Sequence, residues 1–201
     1  MICGLNMPVL FVDGPARRNE RSVQADLLMM DNMSEITRFV NLMVSGGLKK
    51  IGFIGDYEHC QSFWERYISY RMALAEAGGE FDERFVIKYF DRVLDNLAEK
   101  LEVLEEMPDV FICANDFVAT DVMRFLSMKD EGLLKKVRIL GFDDSHESRI
   151  VYPPLSTVHI HSQVMAFSAL HLLMTRIKEP TMEYRTIYVA TDLVLRESTE
   201  F

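Results

Sequence analysis

Five polar side chains each follow a short apolar run, and together they can give and take hydrogen bonds in many directions. Asp13 closes Pro8-Val9-Leu10-Phe11-Val12, and Ser62 and Arg66 lie beyond Lys50-Ile51-Gly52-Phe53-Ile54-Gly55. Asn115 follows Val110-Phe111-Ile112-Cys113-Ala114, and Asp143 follows Ile139-Leu140-Gly141-Phe142. Two carboxylates, an amide, a hydroxyl and a guanidinium match the donors and acceptors of a polyhydroxylated ligand, a sugar or a sugar phosphate. Arg66 carries the most weight in this set. Its planar fork can grip vicinal hydroxyls or a carboxylate while offsetting the charge of neighbouring Asp side chains.

Nearby residues have plainer readings. Asp116 immediately precedes a helical run that begins at Phe117, so it suits a helix N-cap as well as a ligand contact. Asp144 and Ser145 read as the turn after a strand. His159 and His161, two apart near a strand, could face a metal from one side; with no third ligand nearby they read as edge-of-core or surface histidines. Met30, Met33, Met43 and Phe39 read as core or interface packing rather than a cofactor box. There is no Gly-x-Ser-x-Gly elbow, no Cys-His arrangement at a strand end and no phosphate-gripping Gly-rich loop. The expectation is therefore a binding module with no catalytic residues, no metal and no cofactor.

The five positions meet only if the apolar runs are parallel strands joined by helices, because ligands of open α/β sheets sit beyond the carboxyl ends of the strands. The chain alternates in that way, which predicts an α/β fold. Strands are expected at Val9–Val12, around Val23–Leu28, and at Lys50–Ile54, Phe85–Tyr89, Val110–Cys113 and Val137–Phe142. The helical periods predict helices at Ser34–Ser45, Phe63–Ala77, Leu94–Met107, Phe117–Met128 and Gln163–Ile177. Gly46-Gly47 and Gly78-Gly79 fall where helix C-caps belong, and Pro108 disfavours α geometry at the residue before it. No repeat, low-complexity tract or linker marks a domain boundary, so two lobes would have to be joined by several short crossings.

Composition narrows the function classes. A chain of 201 residues, 49% hydrophobic, can bury a core as one large domain or two small lobes. No apolar run approaches the roughly 20 residues of a membrane span. Met1–Pro8 lacks the features of a secretory signal, and the expected location is cytoplasmic. Cys3, Cys60 and Cys113 have no metal-ligand spacing and suit free thiols in a reducing compartment, Cys113 as a small buried hydrophobe. The net charge is −9 and the basic pairs Arg17-Arg18, Lys49-Lys50 and Lys135-Lys136 are scattered. Gripping DNA needs cations clustered against phosphates, so direct DNA binding is not expected.

Several phrases, in order, resemble the effector-binding core of LacI-type bacterial transcription regulators. They are Pro8 to Asp13, Asp31-Asn32 opening a helix, Gly47 with the strand Ile51 to Gly55, and Arg66 followed by Tyr70 and Ala73-Leu74. Asn115-Asp116-Phe117-Val118-Ala119, Gly141-Phe142-Asp143-Asp144, Pro153-Pro154-Leu155-Ser156-Thr157-Val158 and Leu195-Arg196-Glu197-Ser198-Thr199 continue the series. The likeness covers nearly the whole chain. It implies a parallel-sheet, periplasmic-binding-protein-like fold with one nearly complete lobe and a truncated second one. Residues 1–28 and 160–190 would be a remnant of the amino-terminal lobe, and 29–159 with 191–201 the carboxyl-terminal effector-binding lobe.

The resemblance further implies a small-molecule effector, a sugar, held by Asp13, Ser62, Arg66, Asn115 and Asp143, a homodimer, and DNA contact only through a helix-turn-helix domain that this chain lacks. The chain departs from the pattern at Leu48, Glu35, Ser69 and Ile160, where the family favours His, Gly, Gly and Gln. Two other outcomes fit the same residues: a sugar-binding receptor of a transport system, and a regulator fragment without function.

Overall fold

The computed structural model describes residues 7–14 and 24–200. Cys3, Arg17, Arg18 and Val23 lie outside the described residues. The architecture is α/β, with parallel sheets as the alternation predicts. One sheet contains β3 (Ile51–Ile54), β4 (Val86–Ile87), β5 (Val110–Cys113) and β6 (Arg138–Leu140), all parallel, in the order β4-β3-β5-β6. A second contains β1 (Leu10–Val12), β2 (Asp26–Met30) and β8 (Thr186–Val189), also parallel, with β2 in the middle. β7 (Thr157–Ile160) and β9 (Thr191–Val194) form an antiparallel pair. Parallel bridges Leu140–Ser156 and Asp143–His159 lay β7 beside the β6 end of the first sheet.

Helices cover both faces of the four-stranded sheet, which explains why its central strands are continuous apolar runs rather than alternating ones. Every residue of β3 and β5 is buried. On one face lie α1 (Ser34–Ser45) and α2 (Gln61–Ala77), enclosing Phe39, Phe53, Tyr70 and Phe142. On the other, α3 (Leu94–Glu102) and α4 (Asp116–Lys129) pack over Phe85, Phe111, Val122 and Leu155. α1 buries Ile36, Phe39, Val40, Met43 and Val44, a one-face helical spacing. The short helices α5 (Glu131–Leu134) and α6 (His146–Ile150) sit in the connections around β6.

Close approach and backbone handedness set two glycines. At Gly55 (φ 156°) a Cβ would stand 2.3 Å from that of Ala114, so only glycine lets β3 and β5 end side by side. Gly78 ends α2 in the left-handed conformation that glycine adopts without strain.

Differences from the expected elements have local causes. β2 runs from Asp26 to Met30, downstream of the expected Val23–Leu28, and its pairing with β8 continues to Met30 opposite Val189. α3 stops at Glu102 rather than Met107: Glu106 pairs with Lys50 at 2.9 Å, and Asp109 accepts the Lys50 amide, which draws the chain away from helix towards β5. Phe85 closes a 3-10 turn, leaving β4 only two residues long. Of the Met and Phe39 group, Met30, Met43 and Phe39 are core, but Met33 is exposed ahead of α1.

α7 (Ser162–Lys178) lies against β1 and β2. Arg176 on α7 donates to Asp26 from Nε at 2.9 Å and from Nη2 at 3.0 Å, and both side chains are buried. Arg176 and Arg185 hold the Asp26 carboxyl below its ordinary value even though burial pushes the other way.

Candidate functional site

The strand order β4-β3-β5-β6 reverses direction between β3 and β5. At such a switch point the connections leave in opposite directions, so a crevice opens beyond the carboxyl ends of the two strands. Arg66 reaches into it from the second turn of α2. Its Nη1 donates to the Ala114 carbonyl at 2.6 Å, and its Nε to Asn32 Oδ1 at 2.9 Å. The guanidinium lies 3.5 Å from the centre of the Phe142 ring, and the side chain is only 3% exposed. Burial lowers the Arg66 pKa, while Asp143 and Asp13 act in the opposite direction.

The other four sequence candidates surround it. Ser62, brought into the first turn of α2 because the helix starts at Gln61 rather than Phe63, donates its hydroxyl to Asp13 Oδ1 and so ties α2 to the end of β1. Asp13 is exposed, with φ at 64°. Asp143 Oδ1 is 3.9 Å from Arg66 Nη1, a loose contact, and its side chain is one-third exposed. Burial pushes the Asp143 carboxyl up to about 7, with Asp116 and Asp13 adding to the rise and Arg66 opposing it. Asn115 Oδ1 accepts the Val118 amide at 3.0 Å and caps α4, so its Nδ2 is the end not engaged by the cap. All five residues thus stand on one rim, at the carboxyl ends of β1, β3, β5 and β6.

Asp116 is neither a cap nor a rim residue, since the cap is Asn115. It is fully buried; Oδ1 accepts Thr157 Oγ1 at 2.6 Å and Oδ2 the Ser145 amide at 2.7 Å, so it latches α4 to the β6–α6 loop and β7. Burial raises its pKa. Ser145 caps α6, in keeping with a turn, but Asp144 does more than turn the chain. It accepts from Arg149 at 2.7 Å, from Arg196, and pairs with His159 Nδ1 at 2.9 Å. Burial alone would raise its pKa; the two arginines and His159 outweigh it and leave the carboxyl at about 2. His161 pairs with Asp192 at 2.9 Å. Among the described residues no three His, Cys, Asp or Glu side chains gather as a metal site.

The sequence reading missed several residues at this crevice. Phe142 supports the guanidinium, and Asn32 and Glu65 lie behind it. Phe63 sits 5.6 Å from Arg66 and in edge contact with Phe90, which stacks on His59 at 3.9 Å. Phe90 is 46% exposed and offers an apolar face beside the polar rim. Phe90 directly follows the expected strand Phe85–Tyr89, and a search for polar groups alone passes over it. A cavity of about 700 Å³ lies elsewhere, at the amino ends of the strands, lined by Leu134, Lys135, Tyr152, Pro153 and Glu197 among others. It holds none of the strand-end polar groups, and the chemistry favours the crevice.

No helix among the described residues is long and apolar enough to cross a membrane. The family model of a periplasmic binding protein-like domain matches residues 40–199. The HTH-type transcriptional regulator GalR of Lacticaseibacillus casei is 28% identical over 98% of this chain and 61% of its own length. A complex of the transcriptional regulator CelR with cellobiose shares the fold with a TM-score of 0.76 at 24% identity, over 93% of this chain and 58% of that one. A LacI family transcriptional regulator from Enterococcus faecium with bound ribose does so at 0.78 and 17%, over 96% and 70%. The chain spans less than two-thirds of the length of the curated relatives it matches, 61% for GalR and 58% for a PurR repressor of Histophilus somni. These relatives are transcriptional regulators rather than enzymes. With the family match running from α1 to the last turn, the chain belongs to the periplasmic-binding-protein-like domain family, in the form that LacI-type regulators carry as their core.

Proposed function

We propose that this chain binds a sugar or sugar phosphate as the effector core of a LacI-type transcriptional regulator, with Asp13, Ser62, Arg66, Asn115 and Asp143 as the ligand contacts. The observation that carries the reading is Arg66. A buried guanidinium, stacked on Phe142 at a topological switch point and only loosely paired with Asp143, has N–H groups left to donate to ligand hydroxyls or phosphate oxygens. The cellobiose and ribose complexes of the structural relatives support a sugar over other small molecules.

In this reading residues 29–159 and 191–201 form the carboxyl-terminal lobe. Residues 1–28 and 160–190 belong to the amino-terminal one, and the crevice lies between them. The ligand bridges both through Asp13 on one side and Arg66 on the other, and shifts the relative population of open and closed arrangements. The regulator works in the cytoplasm as a homodimer, and DNA is contacted through a helix-turn-helix domain outside this chain.

Isothermal titration against cellobiose, ribose and a panel of other mono- and disaccharides and their phosphates tests the reading. At least one should bind, and Arg66→Ala should weaken it by at least about tenfold, since a hydrogen bond to a charged group contributes about 1.5–3 kcal/mol. No binding across the panel, or unchanged affinity in Arg66→Ala, would overturn it.

A further inference from the structure

Arg66 does not hold its position unaided. Asn32, 1% exposed in the turn between β2 and α1, accepts from Arg66 Nε through Oδ1. Its other end, Nδ2, donates to Glu65 Oε2 at 2.8 Å and to the Met30 carbonyl at 3.2 Å. The second Glu65 oxygen accepts from Gln61 Nε2 at 2.9 Å. A series therefore runs from Gln61 through Glu65 and Asn32 to the guanidinium, and Asn32 also ties it to the end of β2.

The chemistry gives this series a single polarity. A guanidinium only donates and an ionised carboxylate only accepts, so the side chain between them must accept at one end and donate at the other. An amide does both. Reversing the Asn32 amide would turn two donors against each other at Arg66 and two oxygens against each other at Glu65, so the acceptor oxygen of Glu65 fixes which way Asn32 points. Asn32 in turn fixes the plane of the Arg66 fork, with Nη1 at the Ala114 carbonyl and the ring of Phe142 beneath.

We propose that Asn32 and Glu65 are positioning residues that orient Arg66 for ligand, and that Asn32, tied to the Met30 carbonyl at the end of β2, makes this orientation depend on where the three-stranded sheet stands. The proposal rests on Arg66 as the ligand contact, and it deepens that reading by naming what connects the second sheet to it. Neither residue touches ligand; both act through the arginine.

The test is the Arg66 Nε–Hε signal in a ¹H–¹⁵N spectrum of the ¹⁵N-labelled chain, assigned by its loss in Arg66→Lys. Asn32→Ala and Glu65→Ala should each speed its exchange with water by about tenfold or more, the effect of removing one hydrogen bond to a charged group. Glu65→Gln keeps an oxygen for Asn32 and should restore slow exchange. The same order should hold for the affinity of whichever panel sugar binds most tightly, with melting temperatures of the Glu65 variants close to that of the parent.

Unchanged Nε–Hε exchange in both Asn32→Ala and Glu65→Ala overturns the proposal, as does a Glu65→Gln variant that behaves like Glu65→Ala. If Asn32→Ala fails to fold, the partly exposed Glu65 pair decides the matter. Absence of any sugar binding to the parent chain would count against the function proposed for Arg66, while the exchange rates would still decide the positioning role.

Discussion

The two parallel sheets of this chain are built from similar strands and enclosed very differently. The four-stranded sheet has helices on both faces, and β3 and β5 are buried throughout. The three-stranded sheet has α7 against it, yet three of the four residues of β8 are exposed. α7 itself turns Val164, Phe167, Leu170, Met174 and Ile177 outward. The side chains it buries are Met165, Leu172 and Arg176, the last paired with Asp26 of β2. The difference teaches where precision is kept: Arg66 is anchored in the enclosed half, and the half with less cover supplies Asp13, which reaches it through Ser62.

The largest expected effect sharpens this contrast inside the enclosed half. Phe111, fully buried in β5, packs in the core under α4, and Phe111→Ala should cost about 3–5 kcal/mol in urea unfolding. A loss under about 1 kcal/mol would mean that the enclosed sheet is not the stable half.

Asp26→Ala should cost a similar amount but in a different place. Removing one member of a buried ion pair leaves the other charge uncompensated, typically about 3–5 kcal/mol. Hydrogen exchange should rise first in β1, β2, β8 and α7 while β3 and β5 stay protected. Equal loss of protection in both sheets would erase the distinction between them.

A smaller effect comes from two adjacent carboxylates with opposite signs. Asp143, at about 7 when folded, keeps a proton that the unfolded chain releases near the ordinary 3.8, so its contribution to stability falls as pH rises between about 4 and about 7. Asp144, at about 2, contributes stability that is present above about 3.8 and lost as pH drops towards 2. Urea midpoints measured across that range should decline less from pH 4 to pH 7 in Asp143→Asn than in the parent. Identical profiles would show that Asp143 is not buried as described.

The smallest effect belongs to α7. Phe167 is 74% exposed, and Phe167→Ser should change stability by no more than about 0.5 kcal/mol, as surface substitutions do. A cost near that of Phe111→Ala would show that this face is covered in solution.

Much of the enclosed half was readable from residue order. The helical period places α1 at Ser34–Ser45, as found, and Gly46-Gly47 and Gly78-Gly79 mark real helix ends, because capping and helical spacing are local rules. β8 and β9 escaped notice. Thr186–Val189 and Thr191–Val194 are four residues each, three of the first are exposed, and the second has a single buried residue, so neither is the buried strand that a longer apolar run announces. The end of α3 was misplaced because Lys50, more than fifty positions away in the chain, pairs with Glu106.

The site divides in the same way. Residue types and their places after apolar runs point to Ser62, Arg66, Asn115 and Asp143 because strand ends in one parallel sheet share an edge; Asp13 ends a strand of the other sheet, and tertiary packing is what brings it to Ser62. Which neighbouring carboxylate would be buried as a latch, like Asp116, and which would be held by arginines, like Asp144, depended on partners from β7, α6 and the closing segment. So did the alignment of Arg66 by Asn32 and Glu65. Local order in the chain decides which groups reach an edge. Only tertiary packing decides what faces each group there, and therefore its charge, its direction and its use.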